Sequence, residues 1–290
     1  MKYAYYPGCS AESTAKDMHE STLAIAETLG IELIEPKGWI CCGATAGHQT
    51  DSALAASLPA ASLLKVKEMN LDMVANCAAC YNRMKMANHE VVNNADIRKK
   101  VCDSLGRDYD GSVKVRHLID ILLEDVGLDK IKKTVKRPLN GLKVACYYGC
   151  LLVRPYEVTQ FDDPENPTSL DRLVETVGGE ALDWPHKVEC CGGGLSLSRT
   201  DVVVKLTDSI LGMAEASGAD CVAVSCPMCQ VNLDLRQQDI EKQTSKRYDI
   251  PIIYITQLLG LSLGIQSNKL GFSKLMVSPE KIVKSISEVA

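Results

Sequence analysis

The sequence predicts an α/β protein of two homologous, pseudo-symmetric halves, each a small parallel sheet flanked by helices. The first observation behind this is an internal duplication. Lys2-Tyr-Ala-Tyr-Tyr-Pro-Gly-Cys9 matches Lys143-Val-Ala-Cys-Tyr-Tyr-Gly-Cys150, and Trp39-Ile-Cys41-Cys42-Gly43 matches Val188-Glu-Cys190-Cys191-Gly192. Met73-Val-Ala-Asn-Cys77-Ala-Ala-Cys80 matches Val222-Ala-Val-Ser-Cys226-Pro-Met-Cys229, and more weakly Val115-Arg-His-Leu-Ile-Asp-Ile-Leu122 matches Ile252-Ile-Tyr-Ile-Thr-Gln-Leu-Leu259. The second observation is that short apolar runs alternate with longer amphipathic ones in each half, which implies parallel strands joined by right-handed crossovers. The third is length: 290 residues suffice for two ordinary domains or one large α/β domain with a substantial core.

Taken in order, Ala11 to Leu29, Ser52 to Met69 and Tyr81 to Leu105 carry helical periodicity in the first half. In the second half, Val144-Ala-Cys146 and Cys221-Val-Ala-Val-Ser225 are buried strands, and Ile250 to Ile265 is a buried strand leading into a helix. That last stretch is too short and too polar, with Pro251, Thr256 and Gln257, to span a bilayer. The seam falls in Lys130-Ile-Lys-Lys-Thr-Val-Lys-Arg-Pro-Leu-Asn-Gly141, punctuated by Pro138 and Asn140-Gly141, which divides the chain into residues 1–139 and 140–290. Its charges fit a solvated linker better than a docking surface. Cys9, Cys77, Cys150 and Cys226 then lie where strands give way to loops, the edge at which open parallel sheets bind ligands.

Composition narrows the partners. A hydrophobic fraction of 46% with 24% charged residues is that of a soluble globular protein, and a net charge of −5 gives no broad attraction for nucleic acid or anionic lipid. The N-terminus shows no charged-then-apolar signal sequence, so the expected location is the cytoplasm, where thiols stay reduced.

Thirteen cysteines are the anomaly, too sparse for a disulfide scaffold yet grouped as metal ligands are. From Cys9 to Cys41 there are 31 intervening residues, Cys41 and Cys42 adjoin, 34 separate Cys42 from Cys77, and two separate Cys77 from Cys80. The corresponding gaps from Cys150 through Cys190, Cys191, Cys226 and Cys229 are 39, zero, 34 and two. Zinc explains this poorly: it takes four tetrahedral ligands, vicinal cysteines rarely both reach one ion, and no histidine stands at ligand spacing. Five thiolates with a vicinal pair suit a polynuclear iron–sulfur cluster. The ferredoxin run C-x2-C-x2-C-x3-C is absent. Gly43 and Gly192-Gly193-Gly194 let the backbone approach a bulky inorganic core and aim N–H groups at sulfur, or make a tight turn opening the next helix, and the two roles are compatible. Cys102, Cys146 and Cys221 lie outside both sets and are ordinary buried or half-buried cysteines.

Two copies of Cys…Cys-Cys-Gly…Cys-x-x-Cys resemble the cysteine-rich CCG module, and a chain of two such halves resembles the HdrB-type subunit of the soluble coenzyme B–coenzyme M heterodisulfide reductases. The likeness covers essentially the whole chain, including the inserted stretch Phe161-Asp-Asp-Pro-Glu-Asn-Pro-Thr168. It implies a noncubane four-iron, four-sulfide (4Fe-4S) cluster in each half, one on Cys9, Cys41, Cys42, Cys77 and Cys80, the other on Cys150, Cys190, Cys191, Cys226 and Cys229. It further implies that the mixed disulfide of the two coenzymes is split between facing clusters, each delivering one electron and taking one sulfur on an iron. The substrate is then anionic, which makes the basic residues near the cysteines, His48, Arg83, Arg154 and Arg199, candidates to bind it, although each has an equally ordinary structural role. His48 is also a candidate proton donor to a leaving thiolate.

No Gly-x-Gly-x-x-Gly fingerprint for nicotinamide or flavin appears, so electrons must come from a partner. The resemblance implies a ferredoxin-like subunit and a flavoprotein subunit within a larger soluble complex that includes a hydrogenase or formate dehydrogenase. Two rivals remain: an electron-transfer subunit of a fumarate, glycolate or lactate oxidoreductase, and a cluster scaffold that never touches substrate.

Overall fold

The structure is a computed structural model and describes residues 1–287. Eight strands form two four-stranded sheets. The first holds β1 (Lys2–Tyr6), β2 (Glu32–Ile34), β3 (Met73–Ala75) and β4 (Val115–His117) in the order β2-β1-β3-β4. The second holds β5 (Lys143–Tyr147), β6 (Glu180–Ala181), β7 (Cys221–Val224) and β8 (Ile252–Tyr254) in the order β6-β5-β7-β8. Every pairing is parallel, with Tyr5 opposite Val74 in the first sheet and Ala145 opposite Val222 in the second. Strands covered on both faces read as unbroken apolar runs, and β3, β7 and β8 are buried throughout.

The two halves therefore share one topology as well as one sequence pattern. In each, the winding direction reverses between the two central strands, β1 and β3 or β5 and β7. A doubly wound sheet opens a crevice at this switch point, beyond the carboxyl ends of the strands. Cys9 follows β1 and Cys77 follows β3; Cys150 follows β5 and Cys226 follows β7.

Helix boundaries follow local chemistry. The helix Ser52–Met69 starts on Asp51, whose carboxylate accepts from Leu54 N at 2.9 Å, and stops on Asn70 in the left-handed region. The expected helix over Tyr81–Leu105 is two, Ala78–Asn93 and Ala95–Leu105, because Asn94 turns extended and its side chain caps the second at Ile97 N, 3.2 Å away. The expected helix from Ala11 begins at Lys16, after a single 3-10 turn at Cys9–Glu12. The stretch from Ile250 is a strand followed by the helix Ile255–Ser262.

The halves are joined by packed helices. Lys16–Leu29 lies against Ile255–Ser262, where the Ser21 and Thr256 hydroxyls are 2.7 Å apart, both fully buried. Ala78–Asn93 packs against the short helices Cys150–Val153 and Tyr156–Thr159. Asn82 clamps this contact, its amide donating to the carbonyls of Leu151 (3.0 Å) and Arg154 (2.8 Å). The basic stretch between the halves is tied down: Lys130 Nζ donates to Leu29 O at 2.7 Å, and its backbone is not free. Lys136 and Arg137 N donate to Ser262 O, Leu139 N donates to Val177 O, and Leu139 is buried. It is a strap tied onto the second half.

Candidate metal centre

At the two switch points ten cysteines gather in sulfur–sulfur contacts. In the first half Cys9 and Cys41 sulfurs are 3.5 Å apart, Cys41 hydrogen bonds to Cys42, Cys42 and Cys80 are 3.5 Å apart, and Cys80 bonds to Cys77. In the second, Cys150 bonds to Cys190, Cys191 and Cys229 are 3.5 Å apart, and Cys229 bonds to Cys226. The two series meet where the Cys77 and Cys226 thiols hydrogen bond across the halves, beside a contact of 3.4 Å from Ala78 N to Ser225 O. The outer members Cys9, Cys41 and Cys190 are exposed, whereas Cys77 and Cys226 are buried. The sulfurs thus extend from the surface into the core in each half.

The local backbone explains how so many thiols converge. Gly8 at φ 75°, ψ 158° and Gly149 at φ 65°, ψ −178° occupy a region that only glycine enters readily. A Cβ at either position would stand 3.1 Å from a sulfur, Cys80 Sγ or Cys229 Sγ. Each vicinal pair is then pinned from below. Tyr6 Oη donates to Ile40 O at 2.7 Å and Tyr147 Oη donates to Glu189 O at 2.6 Å, gripping the carbonyl just before Cys41 and just before Cys190. Sequence reasoning passed over both pairs, although the repeat aligns Tyr6 with Tyr147 and Gly8 with Gly149. The two glycines expected at a cluster face behave differently. A Cβ on Gly43 would strike Leu58 Cδ1 at 2.7 Å, and one on Gly192 would meet Leu206 and Val203 at 3.1 Å, so their left-handed turns make room for the following helices. At Gly193, next in the run, a Cβ would crowd Met228 at 3.0 Å and stand 3.6 Å from Cys191 Sγ. Backbone N–H groups aim at sulfur too, with Gly192 N 3.3 Å from Cys190 Sγ and Gly43 N bonded to Cys41.

The proton inventory is uneven along the chain. Hydrogen bonding from Cys41, then from Cys80, holds the Cys42 thiol down at about 4, and bonding from Cys150 holds Cys190 at about 6. Cys226 is held well below the ordinary thiol range by Cys229 and Cys77. Their donors Cys41, Cys150 and Cys77 are raised in compensation. Thiolates are the metal-binding form, so loading a metal must expel the remaining protons.

The donor set suits a polynuclear iron–sulfur group. It is all sulfur, the ligand chemistry of such clusters. A cavity of about 200 Å³ is lined by all five second-half cysteines, together with Tyr148, Gly193 and Met228, far more room than one metal ion needs. The first half contributes Ala44, Ala78, His48 and Arg83 to the same lining.

Of the four predicted substrate residues the structure brings His48 and Arg83 to this cavity. His48 Nδ1 is buried without a partner among the described residues. Burial lowers the Arg83 pKa while the Cys42 thiolate opposes that shift, and the guanidinium donates to Asn82 Oδ1 at 2.8 Å. Arg154 instead pairs with Glu165 (2.8 Å) and Arg199 with Asp201 (2.9 Å), both at the surface and outside the cavity lining. Cys146 and Cys221 are fully buried in β5 and β7, and Cys102 lies near Asp108 and Tyr109, away from the ten.

Comparison with known proteins gives the same two-part picture. The cysteine-rich domain family CCG matches twice, over residues 3–85 and 144–234. The chain is 32% identical over 282 residues to the 8-methylmenaquinol:fumarate reductase membrane anchor subunit of Wolinella succinogenes, covering 97% of this chain and 99% of that one. It is 28% identical to the HdrB subunit of the ferredoxin/F(420)H(2)-dependent CoB-CoM heterodisulfide reductase of Methanosarcina acetivorans, covering 100% and 98%. No helix among the described residues is long and apolar enough to cross a membrane. A crystal structure of a hypothetical protein from Helicobacter pylori shares the fold, with a TM-score of 0.73 at 11% identity over 96% of this chain and 52% of that one. With one module in each half and full-length relatives of the same build, the chain belongs to the CCG cysteine-rich domain family, in the two-module form of the heterodisulfide reductase HdrB subunits.

Proposed function

We propose that this chain is an iron–sulfur redox subunit that holds one noncubane four-iron, four-sulfide cluster per half, on the five cysteines of each set, and reduces a small anionic disulfide where the halves meet. The observation that carries the reading is the shared cavity: the second half supplies all five thiols, and the first supplies an arginine and an imidazole nitrogen without a partner among the described residues. When bound, such clusters supply electrons singly, and two supply the pair that a disulfide takes up. The chain's own residues do the rest. Arg83 offers a planar cation to a sulfonate, phosphate or carboxylate arriving at the cavity. His48, which lines the cavity, would donate to a leaving thiolate. Tyr6, Tyr147 and the two glycines fix the sulfur positions without touching substrate. The substrate in this reading is the mixed disulfide of coenzyme M and coenzyme B. Electrons reach the chain from a ferredoxin-like subunit and a flavoprotein subunit of a larger complex, since the chain itself carries no nucleotide fingerprint.

A second reading has its own support, because the fumarate reductase subunit is 32% identical over nearly the whole chain. On that reading the same centre passes electrons between partners and binds no disulfide. Metal content comes first: anaerobically purified protein should carry about eight irons, with matching sulfide. Cys41→Ser with Cys42→Ser, or Cys190→Ser with Cys191→Ser, should then each abolish disulfide reduction driven by an artificial one-electron donor. Groups acting as a unit are non-additive, so the combined variant should lose little more. Folded protein that carries iron but never cleaves a disulfide sinks the first reading and leaves the second. Two zincs in place of iron sink both.

A further inference from the structure

Two buried donors at the inner ends of the sheets have no role in the chemistry above. β4 ends on His117 and β8 ends on Tyr254, equivalent positions in the repeat, and both are fully buried. Each opens a helix in the same way: His117 N donates to Asp120 Oδ2 at 3.1 Å, and Tyr254 N donates to Gln257 Oε1 at 2.9 Å. The register sets them beside the strand ends that lead into the innermost cysteines, with Ala75 opposite His117 and Val224 opposite Tyr254.

Their side chains are oriented but unanswered. His117 Nδ1 accepts from Ile119 N at 3.3 Å, so in the neutral ring the proton sits on Nε2. Burial keeps the ring neutral, pushing its pKa down to about 3. The ring cannot turn away, since Tyr81 and Phe161 flank it edge-on with centroids at 5.7 and 5.8 Å. Neither His117 Nε2 nor Tyr254 Oη has a partner among the described residues. Buried donors are seldom left unmet, and an unmet one in a native fold calls for an acceptor that arrives later. The register points to the acceptor: Ala75 and Val224, opposite His117 and Tyr254, each stand two residues before a cysteine, Cys77 and Cys226. Charge on Cys226 acts on both rings, although Asp17 acts more strongly on Tyr254.

We infer that His117 and Tyr254 are a pseudo-symmetric pair of positioning residues that donate hydrogen bonds to the sulfurs of the metal–thiolate centre at Cys226 and Cys77 and thereby raise its reduction potential. Donors to sulfur stabilise the more negative, reduced form, which moves the potential upward. The inference rests on the proposal that the thiols hold an iron–sulfur group, and the experiment separates the two.

Three variants of the whole chain isolate the donors. Tyr254→Phe deletes only the hydroxyl. His117→Asn keeps an acceptor near the Nδ1 position and deletes the donor, whereas His117→Gln restores a donor near the Nε2 position. Anaerobic protein is first assayed for iron and sulfide, then titrated with a mediated reductant while electron paramagnetic resonance is recorded. Tyr254→Phe and His117→Asn should keep the parent's iron and shift the equilibrium about tenfold toward the oxidised form, about 59 mV for a one-electron couple. His117→Gln should recover most of that. In metal-free protein Tyr254→Phe should unfold no earlier than the parent, because the group it removes had no partner. Iron-loaded Tyr254→Phe and His117→Asn at the parent's potential overturn the inference and leave the proposed function standing. A parent without iron overturns the proposed function and this inference with it. Should His117→Asn fail to fold, Tyr254→Phe decides alone.

Discussion

Gly149→Ala measures how tightly the fold closes on its sulfurs. Gly149 lies at φ 65°, ψ −178°, and an L side chain there costs about 1–3 kcal/mol of backbone strain. The new methyl carbon would also lie 3.1 Å from Cys229 Sγ and 3.4 Å from Tyr147 Cε1. Neither neighbour can retreat, because Cys229 is buried 3.5 Å from Cys191 Sγ, and the Tyr147 hydroxyl is fixed at 2.6 Å on Glu189 O. Overpacking of this kind adds about 1–3 kcal/mol. The sum is about 2–6 kcal/mol, which lowers the melting temperature of a chain this size by roughly 4–20 °C. Gly218→Ala is the control, since Gly218 also has positive φ, at +75°, but nothing within 4 Å of its would-be Cβ. The assay is thermal unfolding of reduced, metal-free protein, followed by circular dichroism. If Gly149→Ala melts no lower than Gly218→Ala, the sulfur contact is not what keeps this position glycine, and the account of the Gly8/Gly149 pair fails.

Two further outcomes follow from buried polar groups. Asn82→Ala strands the Leu151 and Arg154 carbonyls where the halves meet, so it should cost about 2–3 kcal/mol in urea unfolding; a loss under about 0.5 kcal/mol would show that these bonds do not hold the halves together. Burial raises the Asp17 carboxyl from 3.8 to about 6, so the folded chain binds that proton more tightly than the unfolded chain, and the contribution is lost as pH rises through this window. Asp17→Asn should therefore gain on the parent between pH 4 and pH 7, a comparison in which Asp120, also raised to about 6 by burial, cancels; an offset that is equal at both pH values refutes the assignment.

What the sequence disclosed, and what it hid, divides along a physical line. The two-sheet architecture was legible because buried parallel strands are written as apolar runs and because the chain writes them twice, as in Met73-Val-Ala and Val222-Ala-Val. The break at Asn94 was not legible, since an asparagine inside a helical period reads equally as a surface residue or a cap, and only the Ile97 contact decides. Glycine roles were hidden for a related reason. Sequence shows that Gly43 and Gly192 must turn, but what a side chain would strike depends on helices that arrive later in the chain, at Leu58 and Leu206. Basic residues near cysteines in sequence were equally ambiguous. Arg83 sits on the helix that Cys77 starts, so it shares the orientation of Cys80, whereas Arg154 and Arg199 follow turns that carry them to surface partners.

The contact least visible in the sequence, Cys77 to Cys226, is the one that makes the molecule more than a duplicated domain. Each half alone would place its first cysteine and its C-x2-C pair at one switch point, because β1 neighbours β3 and β5 neighbours β7. Nothing in that repeat says that the two switch points face one another. Their juxtaposition comes from packing outside the motifs: the Ser21–Thr256 contact between helices, the Asn82 clamp on the insertion after Cys150, and the strap at Lys136 and Arg137. The same packing carries His48 and Arg83 to the cavity lined by the second half's five thiols. A single module therefore holds one set of sulfurs but half of a cavity, and the chemistry open to the chain depends on surfaces that the duplication did not copy.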